Sequence, residues 1–228
     1  MEKTTDFLLD MSLSIKQRKD MFRINTDTFA LACFMVIKKG ETVLDIGTNN
    51  GALLLVAAQY QPKKLIGVDI LGEAIALAHE NMSDHGIDNV ELAVSDVRNF
   101  KTDPVDVILC NPPYFNQKNR KNRNQNPFLE AARHEVSLPL HDLLDFVRRT
   151  LKDHGRFYLI HRSDRMAEII IESHNRGLAL KKCMPIQDQR KDYCHAICME
   201  FVRGGKCGLK LMNPLIISKE GHHVRNMD

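Results

Sequence analysis

Residues 43–55, "VLDIGTNNGALLL", join a short apolar run to a helix-forming run through a loop that contains two glycines. The apolar run, 42–46, predicts a strand, with Asp45 near its end. Gly47 permits a tight turn, and Gly51 lets a ligand approach the start of a helix. The spacing DxGxxxG is not the GxGxxG of dinucleotide-binding loops. The stretch therefore predicts a strand, a turn and a helix, and the turn is either a ligand site or a plain chain reversal that uses glycine.

The same alternation continues along the chain. Short runs rich in β-branched and aliphatic residues predict strands at 64–70, 90–94, 105–110 and 156–161, and helix-forming runs predict helices at 51–60, 72–85, 140–151 and 164–175. Two final strands, 178–185 and 193–202, have no helix between them, which indicates an antiparallel hairpin at a sheet edge. We expect an α/β fold with a doubly wound, mostly parallel sheet, whose ligands bind beyond the carboxyl ends of the strands.

Length and composition set the size of the fold. The 228 residues are 43% hydrophobic, which suits one domain with a sizeable core. We expect a helical lead-in over 1–40, a core that carries the site over 41–203 and a tail over 204–228. The net charge of +3 is only mildly basic. If nucleic acid is a partner, local clusters of cations would therefore have to bind it.

The cysteines and the lengths of the apolar runs indicate the cellular compartment in which we expect the protein. The six cysteines form no CxxC pair, and Cys194 and Cys198 lie in a predicted strand, where buried thiols are a simpler reading than a metal site. Free thiols and the lack of a recognisable secretory signal favour the reducing cytoplasm. The longest apolar run, 52–58, is too short to cross a bilayer. We expect a cytoplasmic protein with neither a metal nor a membrane partner.

Acidic residues stand at the ends of three successive predicted strands. Asp45 ends the first, Asp69 ends the second 22 residues after Gly47, and Asp96 follows the third. Asp69 has the position from which a carboxylate accepts hydrogen bonds from ribose hydroxyls, and Asp96 could accept one from an adenine amino group. A lone aspartate after a strand is more often a turn former, but three beside a glycine loop predict a pocket for an adenosine-bearing ligand. The chain has no GxxxxGK[ST] loop, which disfavours ATP.

The fourth predicted strand runs into "CNPPYF", residues 110–115. Proline fixes its own backbone angle and restricts the residue before it, so Asn111 and Pro112 are both held in a narrow range of conformations. A Pro-Pro turn that merely ends a strand is the structural alternative. The position of this rigid segment, at the same edge as the three acids, favours a site that needs fixed geometry.

The series DxGxxxG, Asp69, Asp96 and NPPY resembles the class I S-adenosylmethionine-dependent methyltransferases that alkylate amino groups, over roughly residues 22–203. More narrowly, "INTDTFALACF" at 24–34, "NPPYF" at 111–115, "ARHE" at 132–135 and "GGKCGLKLMNPLII" at 204–217 are similar to the bacterial adenine-N(6) methyltransferases that modify valine tRNA beside the anticodon. The resemblance implies a Rossmann-like methyltransferase sheet and S-adenosyl-L-methionine as the cofactor. One departure is Asn49, which replaces the middle glycine of the frequent DxGxGxG form; asparagine tolerates left-handed backbone angles, so we expect the turn to survive.

By the same resemblance, the cofactor is held by the glycine loop and the strand-end acids, with the motif's asparagine beside them. We expect the cofactor-binding residues to be Thr26, Asp45, Gly47, Gly51, Asp69, Asp96 and Asn111. We expect the catalytic residues to be Asn111, Pro112 and Tyr114.

The rigid NPPY segment has a chemical explanation. An adenine amino group is a poor nucleophile because its lone pair is delocalised into the ring. The side-chain oxygen of Asn111 and the main-chain carbonyl of Pro112 are two fixed acceptors for its two N–H groups, which would favour a tetrahedral nitrogen. Tyr114 supplies an aromatic face for the base. Stacking contributes roughly 1 to 3 kcal/mol per base, about what extruding a loop nucleotide costs, so an unpaired target is favoured.

The polar stretch 116–126, "NQKNRKNRNQN", follows directly and contains four cations and no acid. Lys118, Arg120, Lys121 and Arg123 would lie at the pocket mouth, where RNA phosphates would pass. A solvated loop without a ligand is the alternative. Arg133 adds to this surface or pairs with Glu135.

The sequence thus predicts a methyltransferase that acts on an adenosine amino group in tRNA. The residues themselves indicate only an amino-group target. A methyltransferase acting on a glutamine side-chain amide of a protein, one acting on rRNA or DNA, and a non-catalytic RNA-binding module that keeps the cofactor fold all remain open.

Overall fold

A computed structural model describes residues 2–8, 13–112, 138–217 and 223–224. The strands are β1 (Lys3–Leu8), β2 (Leu13–Arg18), β3 (Thr42–Ile46), β4 (Lys64–Asp69), β5 (Val90–Val94), β6 (Val105–Cys110), β7 (Leu151–Arg162), β8 (Leu178–Asp188), β9 (Cys194–Arg203), β10 (Lys210–Leu211), β11 (Leu215–Ile217) and β12 (His223–Val224). The α-helices are α1 (Thr26–Phe34), α2 (Ala52–Ala58), α3 (Gly72–Asp84), α4 (Leu140–Thr150) and α5 (Met166–Asn175), with a 3₁₀ turn at Ser163–Arg165.

The main sheet has the order β12-β11-β8-β9-β7-β6-β3-β4-β5, with β10 beside β8. The pairs β3–β4, β4–β5, β3–β6 and β6–β7 are parallel, while β9 lies antiparallel between β7 and β8. This arrangement confirms the predicted α/β, mostly parallel, doubly wound sheet with an antiparallel C-terminal hairpin. The strand order reverses between β3 and β6, so the crevice expected to hold ligands lies there.

The C-terminal tail differs from the expectation in one respect. Leu215–Ile217 pairs in parallel with Ile186–Asp188 of β8, so the predicted hairpin is not the outermost part of the sheet. The side chains of Leu215 and Ile217 are buried. An unpaired strand edge offers free backbone donors and acceptors, and this short apolar segment covers those at the end of β8.

Alternation along the central strands divides the core into two layers. Leu109, Tyr158 and Ile160 belong to the hydrophobic cluster that contains α1 and α2, while Ile108 and Phe157 belong to the cluster on the other face, against α4. Successive side chains of a strand point to opposite faces, which explains this division. The continuous apolar runs at 107–110 of β6 and 157–160 of β7 follow because a parallel sheet is covered on both faces.

The N-terminal lead-in corrects one prediction. A helical segment was expected over 1–40, but the described residues of this segment begin with the antiparallel pair β1–β2, and their helix is α1. Strand β2 alternates buried and half-buried residues, with Leu13 and Ile15 buried; this period of two is a strand signal that the sequence interpretation overlooked. Lys16 of β2 forms an ion pair with Glu80 of α3 at 2.7 Å, which fixes the pair of strands against the helix layer.

No helix in the described ranges is long and apolar enough to cross a membrane. The six cysteines are free thiols. Of the two thiols expected to be buried, Cys198 is buried and Cys194 is half-buried.

Candidate active site

The glycine loop turns through three residues with positive φ: Gly47 (70°), Asn49 (49°) and Gly51 (82°). The backbone amides of Gly47 and Thr48 donate to the carbonyl of Val68 at 2.8 and 3.1 Å, which holds the loop against β4. A Cβ atom added at Gly47 would meet nothing within 4 Å, so this side of the turn is open to a ligand.

Gly51 faces the protein interior. A Cβ atom added there would lie 2.8 Å from Cε of Met82 and 3.4 Å from Cβ of Ala78, both on α3. The glycine is therefore needed for the left-handed angle and for the close packing of α2 on α3. Its expected contact with the cofactor stays a prediction, and the open side of the loop is at Gly47.

Asp69, at the end of β4, is buried and supports the loop. Its two carboxylate oxygens accept hydrogen bonds from the backbone amides of Asn49, at 2.9 Å, and Leu71, at 3.0 Å. Burial raises the pKa of Asp69, and these backbone donors oppose the rise. A carboxylate has about four acceptor positions, so two of them remain for ligand hydroxyls.

Asp45 is the most deeply buried acid of the site, with 1% of its surface exposed. Its Oδ1 has no hydrogen-bond partner among the described residues, and neither has the buried hydroxyl of Thr48. Burial raises the pKa of Asp45 to about 7; the nearby hydroxyl of Thr48 opposes the rise, and the carboxylate of Asp69 adds to it. A buried carboxylate oxygen without a partner is costly; a cationic or hydrogen-bonding ligand beside the loop would satisfy it.

Asp96 follows β5 and is paired within its own turn. Its carboxylate accepts hydrogen bonds from the backbone amide of Arg98, at 2.8 Å, and from the guanidinium of the same residue. The hydrogen bonds from the Arg98 side chain lower the pKa of Asp96. The expected contact with an adenine amino group would have to share this carboxylate with Arg98.

Asn111 is the first residue beyond β6, and its side chain contacts α1. Its Nδ2 donates to the hydroxyl oxygen of Thr28 at 3.1 Å. The Thr28 hydroxyl in turn donates to Oδ1 of Asn25 at 3.3 Å. Asn25 is the N-cap of α1, and Thr26, an expected cofactor residue, is the first residue of that helix.

Thr28 and Asn25 are site residues that the sequence interpretation missed. An asparagine just before a helix is a recognisable N-cap signal, so the start of α1 could have been located more closely. The contact between Thr28 and Asn111 could not, because the two residues are 83 positions apart.

Strand register brings the acids and Asn111 together. Asp45 pairs with Leu109 on one side and with Gly67 on the other. Asn111 and Asp69 each lie two residues beyond these partners, on strands about 4.8 Å from β3. The glycine loop, the two buried acids and Asn111 therefore share the carboxyl edge of three neighbouring strands.

Several expected residues lie outside the part of the chain that the structure describes. Pro112 is described and half-buried. Tyr114 and the expected RNA-binding residues are not: Lys118, Arg120, Lys121, Arg123 and Arg133.

The turn between β8 and β9 is a further feature of the same edge. Strand β8 runs parallel to β7, so the turn lies at the carboxyl end of the sheet. Arg190 and Lys191 are exposed, and Tyr193 is an exposed aromatic residue with 60% of its surface accessible. Arg190 pairs with Asp188 at 2.8 Å, and the turn also contains Asp192, so its two cations are balanced by two acids. The sequence interpretation did not identify the exposed Lys191 and Tyr193.

Within the described ranges, no three His, Cys, Asp or Glu side chains are grouped so that they could hold a metal ion.

The family model and the relatives that this chain matches are all methyltransferases. Residues 37–216 match a family model described as a methyltransferase domain. A tRNA1(Val) (adenine(37)-N6)-methyltransferase from Shewanella woodyi is 30% identical over 175 residues, which cover 73% of this chain and 71% of the relative. An enzyme of the same name from Dyadobacter fermentans is 26% identical over 218 residues, which cover 91% of this chain and 88% of the relative.

Solved structures agree at the level of the fold. A SAM-dependent methyltransferase from Aquifex aeolicus has a TM-score of 0.56 and 18% identity, covering 78% of this chain and 89% of its own. A ribosomal protein L11 methylase from Lactobacillus delbrueckii has a TM-score of 0.59 and 18% identity, covering 80% of this chain and 81% of its own.

Proposed function

The chain belongs to the methyltransferase domain family and, within it, to the tRNA1(Val) (adenine(37)-N6)-methyltransferases, and from this premise we propose that it transfers a methyl group from S-adenosylmethionine to the 6-amino group of an adenosine in tRNA. The proposed target is the adenosine next to the anticodon of valine tRNA, after the names of the relatives. One observation carries the proposal: the register of β6, β3 and β4 brings a carboxamide acceptor beside two buried acids.

The residues at the glycine loop fit the proposed cofactor. S-adenosylmethionine carries two positive charges, on its ammonium and its sulfonium, and the unpartnered Oδ1 of Asp45 is an acceptor suited to such a cation. Asp69 retains acceptor positions for ribose hydroxyls. The open side of Gly47 gives the ligand room. When bound, the cofactor supplies a methyl carbon on a sulfonium sulfur, which keeps the C–S electron pair as the methyl group leaves.

The protein's contribution to the chemistry is to hold the amine. The side-chain oxygen of Asn111 and the main-chain oxygen of Pro112 accept its two N–H groups, which directs the nitrogen lone pair away from the ring and toward the methyl carbon. The amine loses one proton to water once the N–C bond has formed, so no side chain has to act as a general base. Positioning and fixed acceptors supply the rate enhancement, and Tyr114 stacks on the base.

The cationic and aromatic residues of the turn between β8 and β9 support a nucleic-acid substrate. Lys191 can approach a backbone phosphate, and the exposed ring of Tyr193 can stack on an unpaired base, while Arg190 is already paired with Asp188. In the proposed complex, this turn contacts the tRNA; the cations expected to bind RNA, Lys118 to Arg123, lie outside the described residues. A tRNA substrate also agrees with the expected cytoplasmic location.

The experiment offers the protein tritium-labelled S-adenosylmethionine together with unmodified total tRNA, rRNA, DNA or a protein extract, and identifies the labelled product by mass spectrometry after digestion. We expect label in tRNA as N6-methyladenosine, and none with Asn111→Ala. Label in glutamine, in rRNA or in DNA would replace the proposed substrate. Binding of tRNA without label would identify a non-catalytic RNA-binding module.

A further inference from the structure

We propose that the N-cap of α1 fixes the orientation of the Asn111 carboxamide through Thr28, so that the amide presents its oxygen, and not its NH₂ group, to the substrate. Thr28 is then a positioning residue for the proposed amine methylation. The inference rests on the proposed function for its substrate, but its structural part stands on the hydrogen bonds alone.

The argument begins at the backbone, where polarity is not in question. Oδ1 of Asn25 lies 3.1 Å from the amide nitrogens of both Asp27 and Thr28. A backbone N–H can only donate. The Asn25 atom at this position must therefore be the oxygen of its side-chain amide and not the nitrogen, as is usual for an asparagine N-cap.

The next step follows from the hydroxyl of Thr28. It lies 3.3 Å from the same Asn25 oxygen. An amide oxygen only accepts, and the structure gives this contact as a hydrogen bond that the Thr28 hydroxyl donates, which uses its single proton. What remains on the Thr28 oxygen is lone-pair density, and any further partner must be a donor.

That partner is Asn111, at 3.1 Å. Only the NH₂ side of its carboxamide can donate to a hydroxyl oxygen whose proton is already used. The two ends of an asparagine amide are nearly equal in shape, and the hydrogen-bond network alone decides which end points where. Here the backbone amides of α1 orient the Asn25 side chain, Asn25 orients the Thr28 hydroxyl, and that hydroxyl orients the amide of Asn111 in the site.

Burial protects the middle of the relay, between the exposed Asn25 and the half-buried Asn111. Thr28 is 8% exposed, so water competes little for its hydroxyl. If Thr28 donated to Asn111 instead, the flipped amide would point its NH₂ group at the N–H groups of an amine. Donor would face donor, and the acceptor that the reaction needs would be lost. The relay therefore selects substrates that donate at this point over substrates that accept.

The kinetic test compares Thr28→Val with Thr28→Ser. Valine keeps the shape of threonine but removes the hydroxyl, so the amide of Asn111 is free to flip. We expect kcat for methyl transfer to fall about tenfold, the factor that corresponds to one lost hydrogen bond, with the KM for S-adenosylmethionine and the melting temperature little changed. Serine restores the hydroxyl and should recover most of the rate.

Thr150→Val is the matched control, since Thr150 is also a buried helical threonine, at 5% exposure, at the far end of the sheet. It should leave kcat unchanged. A fall in kcat with Thr28→Val that Thr28→Ser does not recover would indicate a packing effect and overturn the proposal.

A double-mutant cycle sharpens the test. Asn111→Asp has acceptor oxygens at both ends, so it has no orientation to lose. Whatever its own rate, adding Thr28→Val should change that rate by less than twofold. An undiminished tenfold fall in this background would mean that Thr28 does not act through the orientation of Asn111.

Side-chain amide NMR separates this inference from the proposed function, because it needs no turnover. In ¹⁵N-labelled protein, the NH₂ signals of Asn111, assigned by their loss in Asn111→Asp, should include one proton that exchanges slowly because it is bonded to Thr28. The exchange of that proton should become fast in Thr28→Val and stay slow in Thr28→Ser. Equal exchange in all three proteins would overturn the relay even if tRNA methylation were established, and slow exchange without methylation would leave the relay standing while the proposed substrate failed.

Discussion

The cofactor half and the target half of the site hold their functional groups in different ways. In the cofactor half, Asp69 accepts from the adjacent backbone of Leu71 and from the glycine loop, and Asp96 pairs within its own turn with Arg98. In the target half, Asn111 is held by Thr28, which lies 83 residues earlier on α1. The first half is organised mainly within strand-end turns and the second by a contact between distant parts of the chain.

The difference follows from what each half has to do. Carboxylates accept from any side, so the acids need only be brought to the correct strand end. A carboxamide has one accepting end and one donating end. Its orientation has to be imposed by a neighbour of known polarity, and α1 supplies that neighbour. The two halves should therefore respond differently to substitution.

The largest expected effect is on the target half. Asn111→Ala removes the acceptor proposed for the amine and should lower kcat by at least about 100-fold, as for other fixed polar groups that act on a transition state. The dissociation constant of S-adenosylmethionine should change less than threefold, because the acids are untouched. Labelled methyl transfer and calorimetry measure the two quantities, with Asn89→Ala, an exposed asparagine at the opposite end of the sheet, as the control. Equal losses in both would mean that the halves are not separate.

Asp69→Ala tests the cofactor half. It removes the acceptor proposed for the ribose and leaves the backbone amide of Asn49 without its partner. Loss of hydrogen bonds to a charged group should weaken cofactor binding by roughly 10- to 100-fold. Calorimetry checks this result, and Asp103→Ala, which removes an exposed acid before β6, should have no effect. An unchanged dissociation constant would remove Asp69 from the cofactor site.

The raised pKa of Asp45 predicts a smaller effect, on the pH dependence of stability and of cofactor binding. Its pKa is raised from the ordinary 3.8 to about 7 in the folded protein, so the folded state binds a proton more tightly than the unfolded state. Stability of the ligand-free protein should therefore fall as pH rises from about 4 to 7 and level off above 7. If cofactor binding ionises Asp45, about half a proton is released per molecule bound at pH 7.

Calorimetry in two buffers with different heats of ionisation measures this proton release. Asp45→Asn should abolish it and flatten that part of the stability profile. Identical heats in both buffers for the unmodified protein would separate Asp45 from the cofactor's charge.

The smallest expected effect concerns Asn49, which connects the loop to the N-terminal segment. Its Nδ2 donates to the carbonyl of Phe22 at 2.7 Å. Asn49→Gly removes this hydrogen bond and should lower the free energy of unfolding by about 1 kcal/mol, while cofactor affinity changes less than threefold. Gln61→Gly, at another positive φ of 54°, isolates the backbone contribution in a denaturation experiment. Unchanged stability with Asn49→Gly would mean that the connection to Phe22 contributes nothing.

Much of the fold was predictable because its signals are local. The strands at 42–46, 90–94 and 105–110 agree with the structure to the residue, since each is a short apolar run that ends at a polar or glycine-containing turn. The left-handed turn at Asn49 was also expected, and it is present with φ 49°. The prediction failed at β1–β2, where a helical lead-in was expected and the period-two pattern was overlooked.

In the candidate site, too, some features could be predicted from the sequence and others could not. Strand-end acids can be located from the sequence because a parallel sheet brings the carboxyl ends of its strands to one edge, whatever the length of the connections. The packing role of Gly51 against Met82 and the pairing of Asp96 with Arg98 depend on side-chain positions in space, and spacing carries no information about them.

The sequence by itself determined the parallel sheet, the glycine turn with its row of acids, and a rigid asparagine at the end of the fourth of its strands, because hydrophobic period, glycine and proline act on neighbouring residues. Tertiary structure alone decided that α1 lies beside β6, that Oδ1 of Asp45 is enclosed with no partner among the described residues, and which end of the Asn111 amide faces the pocket. Those features depend on which surfaces pack together and how their donors and acceptors then pair, and no local pattern along the chain encodes that choice.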